Sequence, residues 1–551
     1  MSKKVKVNSF HNLTWCVHRT SRDKDKIGFR KMKMKLQIAA GVLIFVLFEL
    51  SLVQFSTCSP VPDISERQKS VYHNIAEKKE KCPQGLHKCT CVERNNRGRK
   101  LDITCNGVDT HELKHDTDIL KQGGDHTIQY FKIRNCEVPR LPDHIFMGMK
   151  IQHLYIHNCE MLSLDTASIS SQGTTLSHLV LSKNKLKDVP TRALRMLKNL
   201  DHLNLNDNQI TSLHDNAFEG LSKVTRLSLY DNKIHHIAPH AFSGLTKDLI
   251  RLNLGRNQIY KEGIPYRAFQ KLSNLQILEM SDNQIRDIKP EGFKGLENLD
   301  QLVLNYNNLT KLDAKWFKGL DNLHDLKLCN NKIARINDDA FDGLEETLES
   351  LELTENKLTT FPSHALRPIH KLVTLHIDHN EIRHISENAF QGFGEKIKYL
   401  WMQENLIDDI PPPAFQDLHS LEWVKLYNNQ LKTLHYELME PVLDSLMHID
   451  IHSNPLVCDC ELRWYKQWIE DEWNPVEEQW LKETSCKSPR DGKRHNIEEV
   501  DLKDMFCDSS VKDKAGRDGG GAASVFRTID WLLLTLFGVL IQIGFPSFIK
   551  A

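Results

Sequence analysis

Three groups of residues in this 551-residue chain have the types and spacing to do chemistry. Of its 13 cysteines, four lie close together at Cys82, Cys89, Cys91 and Cys105, and four more at Cys458, Cys460, Cys486 and Cys507. Such clusters make either disulfides or zinc sites. Four thiols with no accompanying histidine pattern argue against zinc, and the clustering favours an oxidising compartment. A second group, His153, His178 and His202, recurs at near-equal spacing with Tyr155 and His157 nearby. Such a row could hold a divalent metal or titrate near neutral pH, although a solvated row is the plainer reading in a chain with 27 histidines. The third group is aromatic: Tyr399, Trp401, Trp423 and Tyr427. Clustered aromatics on a rigid surface have the composition of a protein-binding hot spot; the alternative is that they pack on each other or on a neighbouring unit. No G-x-S-x-G, H-E-x-x-H or phosphate-cradling glycine loop occurs, so no catalytic, cofactor-binding or metal residue is assigned.

A repeat must position these groups. In Thr347 to Pro362, TLESLELTENKLTTFP, Leu348, Leu351 and Leu353 stand at L-x-x-L-x-L spacing, followed by Asn356 and Leu358. This is the signature of a leucine-rich repeat: a short strand, then a sharp turn whose unpaired backbone groups an asparagine amide can satisfy from both sides. The ladder position is held by Cys136, Cys159, Asn184, Asn208, Asn232, Asn257, Asn283, Asn307, Asn331, Asn356, Asn380, Asn405, Asn429 and Asn454. That makes fourteen turns at spacings of 23 to 26 residues. One turn cannot bury its own apolar face, so the turns must stack. The expected fold is a curved α/β-type solenoid with a parallel sheet on the concave face and an irregular, 3-10-rich convex side. Phenylalanines that recur after alanine, as at Ala217-Phe218, Ala241-Phe242 and Ala414-Phe415, form a spine in the convex core. On the concave face, equal positions of adjacent strands line up about 4.8 Å apart, which sets the histidines and the aromatics into rows. Cys136 and Cys159 fall in adjacent turns, either bonded or as buried thiols, and Cys329 is formally unpaired on the concave surface.

The flanks complete the organisation. Residues 1–58 carry a basic n-region and then an apolar run, Leu36 to Phe55, that reads as a secretory signal, with Met32 an alternative start and an uncleaved anchor the alternative reading. Residues 59–81 are a polar linker, 82–126 an N-terminal cysteine cap, 127–457 the repeats and 458–507 a C-terminal cysteine cap. Residues 508–530 form a polar, glycine-rich stalk, and 531–551 an apolar tail. Small residues, a spacer and a short apolar end describe a glycolipid-anchor signal, with a transmembrane helix as the alternative. Asn308, in Asn308-Leu309-Thr310, is the glycosylation acceptor between the two caps. With 72 basic and 73 acidic residues, the chain shows no nucleic-acid footprint, and none is expected as a partner.

The C-x-C cysteines at the first end, the 24-residue turns, and the segment N-P-L-x-C-x-C with a Leu-Arg-Trp run after Asn454 resemble cysteine-capped extracellular leucine-rich repeat proteins of the Slit, Toll and connectin kind. The segment from Glu440 to Trp464 is further similar to an arthropod group named after the non-catalytic subunit of oplophorus-luciferin 2-monooxygenase. The resemblance implies the pairings Cys82–Cys91, Cys89–Cys105, Cys458–Cys486 and Cys460–Cys507, and tryptophans packed over the last repeat. It also implies a non-enzymatic receptor or adhesion module on the outer face of the plasma membrane, or secreted, that binds an extracellular protein ligand or co-receptor. The alternative is an accessory subunit of a secreted enzyme.

Overall fold

A computed structural model describes residues 82–94, 100–122, 127–261, 263–472 and 479–507. All of them fall within one compact unit, Lys79–Ala551. The signal, linker, stalk and apolar tail expected at the two ends lie outside the described residues.

A 16-stranded sheet runs through the unit in chain order. Its first two strands, Cys89–Arg94 and Lys100–Asn106, form an antiparallel hairpin. The second of these pairs in parallel with Thr127–Arg134, and each later strand adds in parallel to its predecessor, ending at His448–Asp450. The hairpin of the cysteine cap is therefore the first part of the same sheet. Most repeat strands are only three residues long, and the middle residue points into the core. Leu154, Leu179, Leu203, Leu227 and Leu252 are directly in register, and the line continues to Leu400, Val424 and Ile449. These side chains are fully buried. Burying each contributes roughly 2 kcal/mol, which no isolated turn could collect.

The turn after each strand explains the asparagine. Asn356 Nδ2 donates to Leu328 O and Leu353 O at 3.0 Å and to Thr354 O at 3.4 Å, while its Oδ1 accepts the Ile333 amide at 3.0 Å. The same pattern repeats from Asn184 to Asn454. The residue just before each ladder position takes a left-handed conformation, from Asn135 at φ 51° to Ser453 at φ 54°. None of these positions carries a β-branched side chain, and the two with rings are Tyr306 and His379. At the first two ladder positions Cys136 and Cys159 are joined in a disulfide, with Cα atoms 4.3 Å apart. Cys159 N donates to Asn184 Oδ1, so the ladder continues without a break into the asparagines.

The convex side is built from single helical turns, such as Thr191–Leu194 and Ser363–Leu366, 3-10 turns, and short parallel pairs such as Lys311–Leu312 with Arg335–Ile336. Phe218, Phe242, Phe269, Phe293, Phe317 and Phe341 are buried beneath it. Neighbouring rings lie nearly parallel, 5.9 Å apart for Phe218 and Phe242 and 6.4 Å for Phe317 and Phe341.

Both ends of the core are covered. At the first, disulfides Cys82–Cys91 and Cys89–Cys105 staple the hairpin, and helix α1 (Thr110–Gln122) packs beside it. Asp116 of α1 is fully buried and accepts the backbone amides of His87, Lys88 and Cys89 at 2.7–2.9 Å. At the second, helix α2 (Arg463–Glu472) lies against the last repeat: the Trp464 indole N–H donates to Leu434 O at 2.6 Å, and Tyr465 is completely buried. Arg494 reaches back to the carbonyl of Asn454, the last ladder residue, at 2.7 Å. Disulfides Cys458–Cys486 and Cys460–Cys507 close this unit internally.

Candidate binding face

Two outward residues per strand, flanking the buried one, generate the concave rows, and the residue just after the strand's last core side chain adds a third. At the C-terminal end the first row runs Thr374, Tyr399, Trp423, His448 and the second His376, Trp401, Lys425, Asp450. Tyr427 belongs to the third row, beside His452. The four aromatics therefore share one surface, and each is half-buried. Trp401 and Trp423 meet edge to face with centroids 6.5 Å apart, and Tyr399 lies 6.5 Å from Trp401. Histidines extend the cluster: Trp423 stacks on His448 at 4.5 Å, Tyr427 on His452 at 4.5 Å, and His376 lies 5.5 Å from Trp401. Lys425 Nζ stands 4.6 Å over the Trp401 ring. The result is a pre-packed aromatic surface whose rings have already lost their rotamer freedom, which lowers the entropic cost of meeting a partner.

Carboxylates surround it. Asp378, nearly buried, accepts from His379 at 2.8 Å and from Thr354 at 3.0 Å. Burial alone would raise its pKa, but hydrogen bonds from His376, His379 and Thr354 outweigh that and hold it below the usual value of 3.8. The Tyr427 phenol is pushed up by burial and by the charges of Glu404, Asp450 and Asp378. Burial drives His448 the other way, toward its neutral form.

The histidine row occupies the first concave row at the other end, with ring centroids 4.2 Å apart for His153 and His178 and 5.5 Å for His178 and His202. Tyr130 stacks on His153 at 4.7 Å, and Arg226 and Arg251 continue the row. Burial lowers the pKa of both His178 and His202, with Arg226 acting in the same direction. Among the described residues, these three rings are not one of the groups whose ligand atoms converge within 4.8 Å. Cys329 sits on the mid-array concave surface, half-buried, and burial together with Glu352 pushes its thiol up to about 12. It is thus protonated and inert at neutral pH. Asn308 is half-buried at the turn, its amide donating to Ile285 O at 2.8 Å.

Sequence reasoning missed a second asparagine series on the lateral edge. Asn199, Asn274, Asn298 and Asn322 each donate to a carbonyl of the preceding repeat, those of Thr174, Lys247, Ser273 and Glu297. The recurring Asn-Leu dipeptide was the available signal. A groove of about 860 Å³ follows this edge, but its asparagines already serve the backbone.

Fold and surface together define a leucine-rich repeat solenoid with disulfide-capped ends. In agreement, the leucine rich repeat family model matches residues 149–210, 198–259, 249–309, 297–347 and 346–400. Among solved structures, the chain is similar to TLR13 in its complex with ssRNA13, at 24% identity and a TM-score of 0.51, covering 70% of this chain and 61% of that one. It is also similar to the glycosylated Toll–Spatzle complex of Drosophila, at 18% identity and a TM-score of 0.54, covering 72% and 56%. The chain thus spans about three fifths of the length of these matched chains. At such identities the likeness is one of fold. No curated protein matches the sequence.

Proposed function

We propose that this is an extracellular, non-catalytic binding module whose concave face holds a protein ligand at Tyr399, Trp401, Trp423 and Tyr427. The observation that carries the reading is the packed aromatic surface centred on Trp401 and Trp423, fixed on a rigid sheet and rimmed by charge. Hot spots in protein interfaces have this make-up: aromatic anchors at the centre, polar groups at the edge. Five disulfides support an oxidising, extracellular location. We further propose a glycan on Asn308 and tethering to the plasma membrane by a glycolipid attached between Asp518 and Ser524, with residues 531–551 as the signal removed on attachment.

The test begins on intact cells. A phospholipase that cuts glycolipid anchors should release the protein; free secretion without treatment points to an accessory subunit instead. The partner is then captured by crosslinking to the released protein. Trp401→Ala together with Trp423→Ala should weaken that complex at least about thirtyfold, or ~2 kcal/mol, while circular dichroism stays unchanged. Undiminished affinity removes the aromatic face as the site. Saturable binding of single-stranded RNA, abolished by the same pair, would replace the protein ligand with a nucleic acid.

A further inference from the structure

Among the described residues, three groups of side chains have ligand atoms close enough to share a metal ion. In the first, His87, His115 and Asp116, the aspartate oxygens already serve the backbone amides of His87, Lys88 and Cys89. In the second, Cys460, Glu461 and Cys507, both sulfurs are spent in a disulfide. The third, His435, Glu437 and Glu461, has neither obstacle. Its imidazole nitrogen and two carboxylate oxygens lie within 4.8 Å of one another.

We propose that His435, Glu437 and Glu461 form a zinc site that clips the C-terminal cap to the last repeat. Two of the three ligands are already set. His435 Nδ1 lies 3.1 Å from Glu461 Oε2, across 26 residues of chain. His435 directly follows Leu434, whose carbonyl holds the Trp464 indole, so its backbone is fixed at the junction itself. Glu461 is fixed by its own amide, which donates to Asp459 Oδ1 at 3.1 Å, and by the adjoining Cys460–Cys507 bond. Glu437 is exposed on the first turn of Tyr436–Met439 and can swing. Ligands on a tetrahedral ion at ~2.1 Å stand about 3.4 Å apart, so a small rotation of Glu437 closes the site.

The donor set selects the ion. One imidazole with two carboxylates suits zinc, whereas calcium wants six to eight oxygens, which this site does not bring together. Zinc would bind Nδ1 of the neutral imidazole, with the ring proton on Nε2, together with two carboxylates, and would leave a fourth position for water. The consequence is mechanical. Both disulfides of the cap are internal to it, so among the described residues no disulfide cross-links cap to array, and the ion would supply a cross-link across that boundary.

Calorimetric titration of the chelator-stripped, full-length protein with zinc chloride tests this, alongside thermal melting. The wild-type chain should show one saturable site and a zinc-dependent rise in Tm. Glu437→Gln keeps the His435–Glu461 pair, so it should melt like the wild type without zinc, yet bind at least tenfold more weakly and lose the rise. His435→Gln, which removes that pair, should likewise bind at least tenfold more weakly and lose the zinc-dependent rise. If both variants titrate like the wild type, or no saturable binding is seen, the site is wrong. If affinity falls but the Tm rise persists, the clip is wrong.

Discussion

A ladder asparagine such as Asn356 makes four backbone bonds from one buried amide. Replacing it by alanine leaves the buried Ile333 amide without its acceptor and removes one of the two side-chain amides that Leu328 O and Leu353 O each accept, the other coming from Asn331 and Asn380. Asn356→Ala should therefore cost at least about 2 kcal/mol in urea unfolding, more than a typical surface change by several fold. Asp116 is the corresponding residue of the first cap. Burial alone would raise its pKa, yet backbone amides from His87, Cys89 and Lys88 depress it below the ordinary 3.8. A depressed carboxylate stabilises the fold above that value, and the contribution disappears as pH falls through the folded pKa. Hydrogen-exchange protection of the His87 to Cys89 amides should therefore drop under acid below pH 3.8 in the wild type, and be low at every pH in Asp116→Ala. The two residues differ in legibility. Asn356 is readable because its partners recur every turn and the periodicity shows them. Asp116 looks like any helix-surface acid, since its partners lie 27 to 29 residues upstream in an irregular segment.

At the scale of the element, the repeat is a three-residue strand followed by a residue held in the left-handed region. At Tyr306, φ is 56° and the side chain is 61% exposed, so a substitution there reports on the backbone alone. Tyr306→Val should destabilise by about 1 kcal/mol or more, and Tyr306→Gly should not, because only the β-branched side chain crowds that conformation. The row of strands carrying His178 and His202 makes a separate prediction. Burial, with Arg226 adding, lowers both below the ordinary 6.5, so the folded chain resists protonation that the unfolded chain accepts. Stability is complete above 6.5 and declines as pH falls toward the folded values. The urea midpoint should fall between about pH 7.5 and about pH 5.5, and His202→Gln should flatten that slope. The rows themselves were readable, because strand pairing puts equal positions side by side. Their surroundings were not: His448 and His452, which stack on Trp423 and Tyr427, belong to the repeat against the cap and have no aromatic pattern of their own.

For the whole molecule, every repeat is bonded to its neighbours, and most of its contacts go no further. Its sheet, its asparagines and its leucine line all pass from each turn to the next. Stability in such an array is close to a sum of nearest-neighbour terms, so damage at one end spreads inward. The caps act against that, and the sequence made their cysteines plain while hiding the hydrogen bonds of Arg494 and Trp464 that seat the second one. The Cys136–Cys159 bond has a further consequence under load. Pulled from its ends, the chain should pay out in steps of one turn, each of about 80 Å for some 24 extended residues. The bond shortcuts the chain between two cysteines 23 positions apart, so one step is missing while it is intact. A reductant restores that step. The disulfide is in effect a ratchet stop near the first end, so the array should give way first from the end where the aromatics sit.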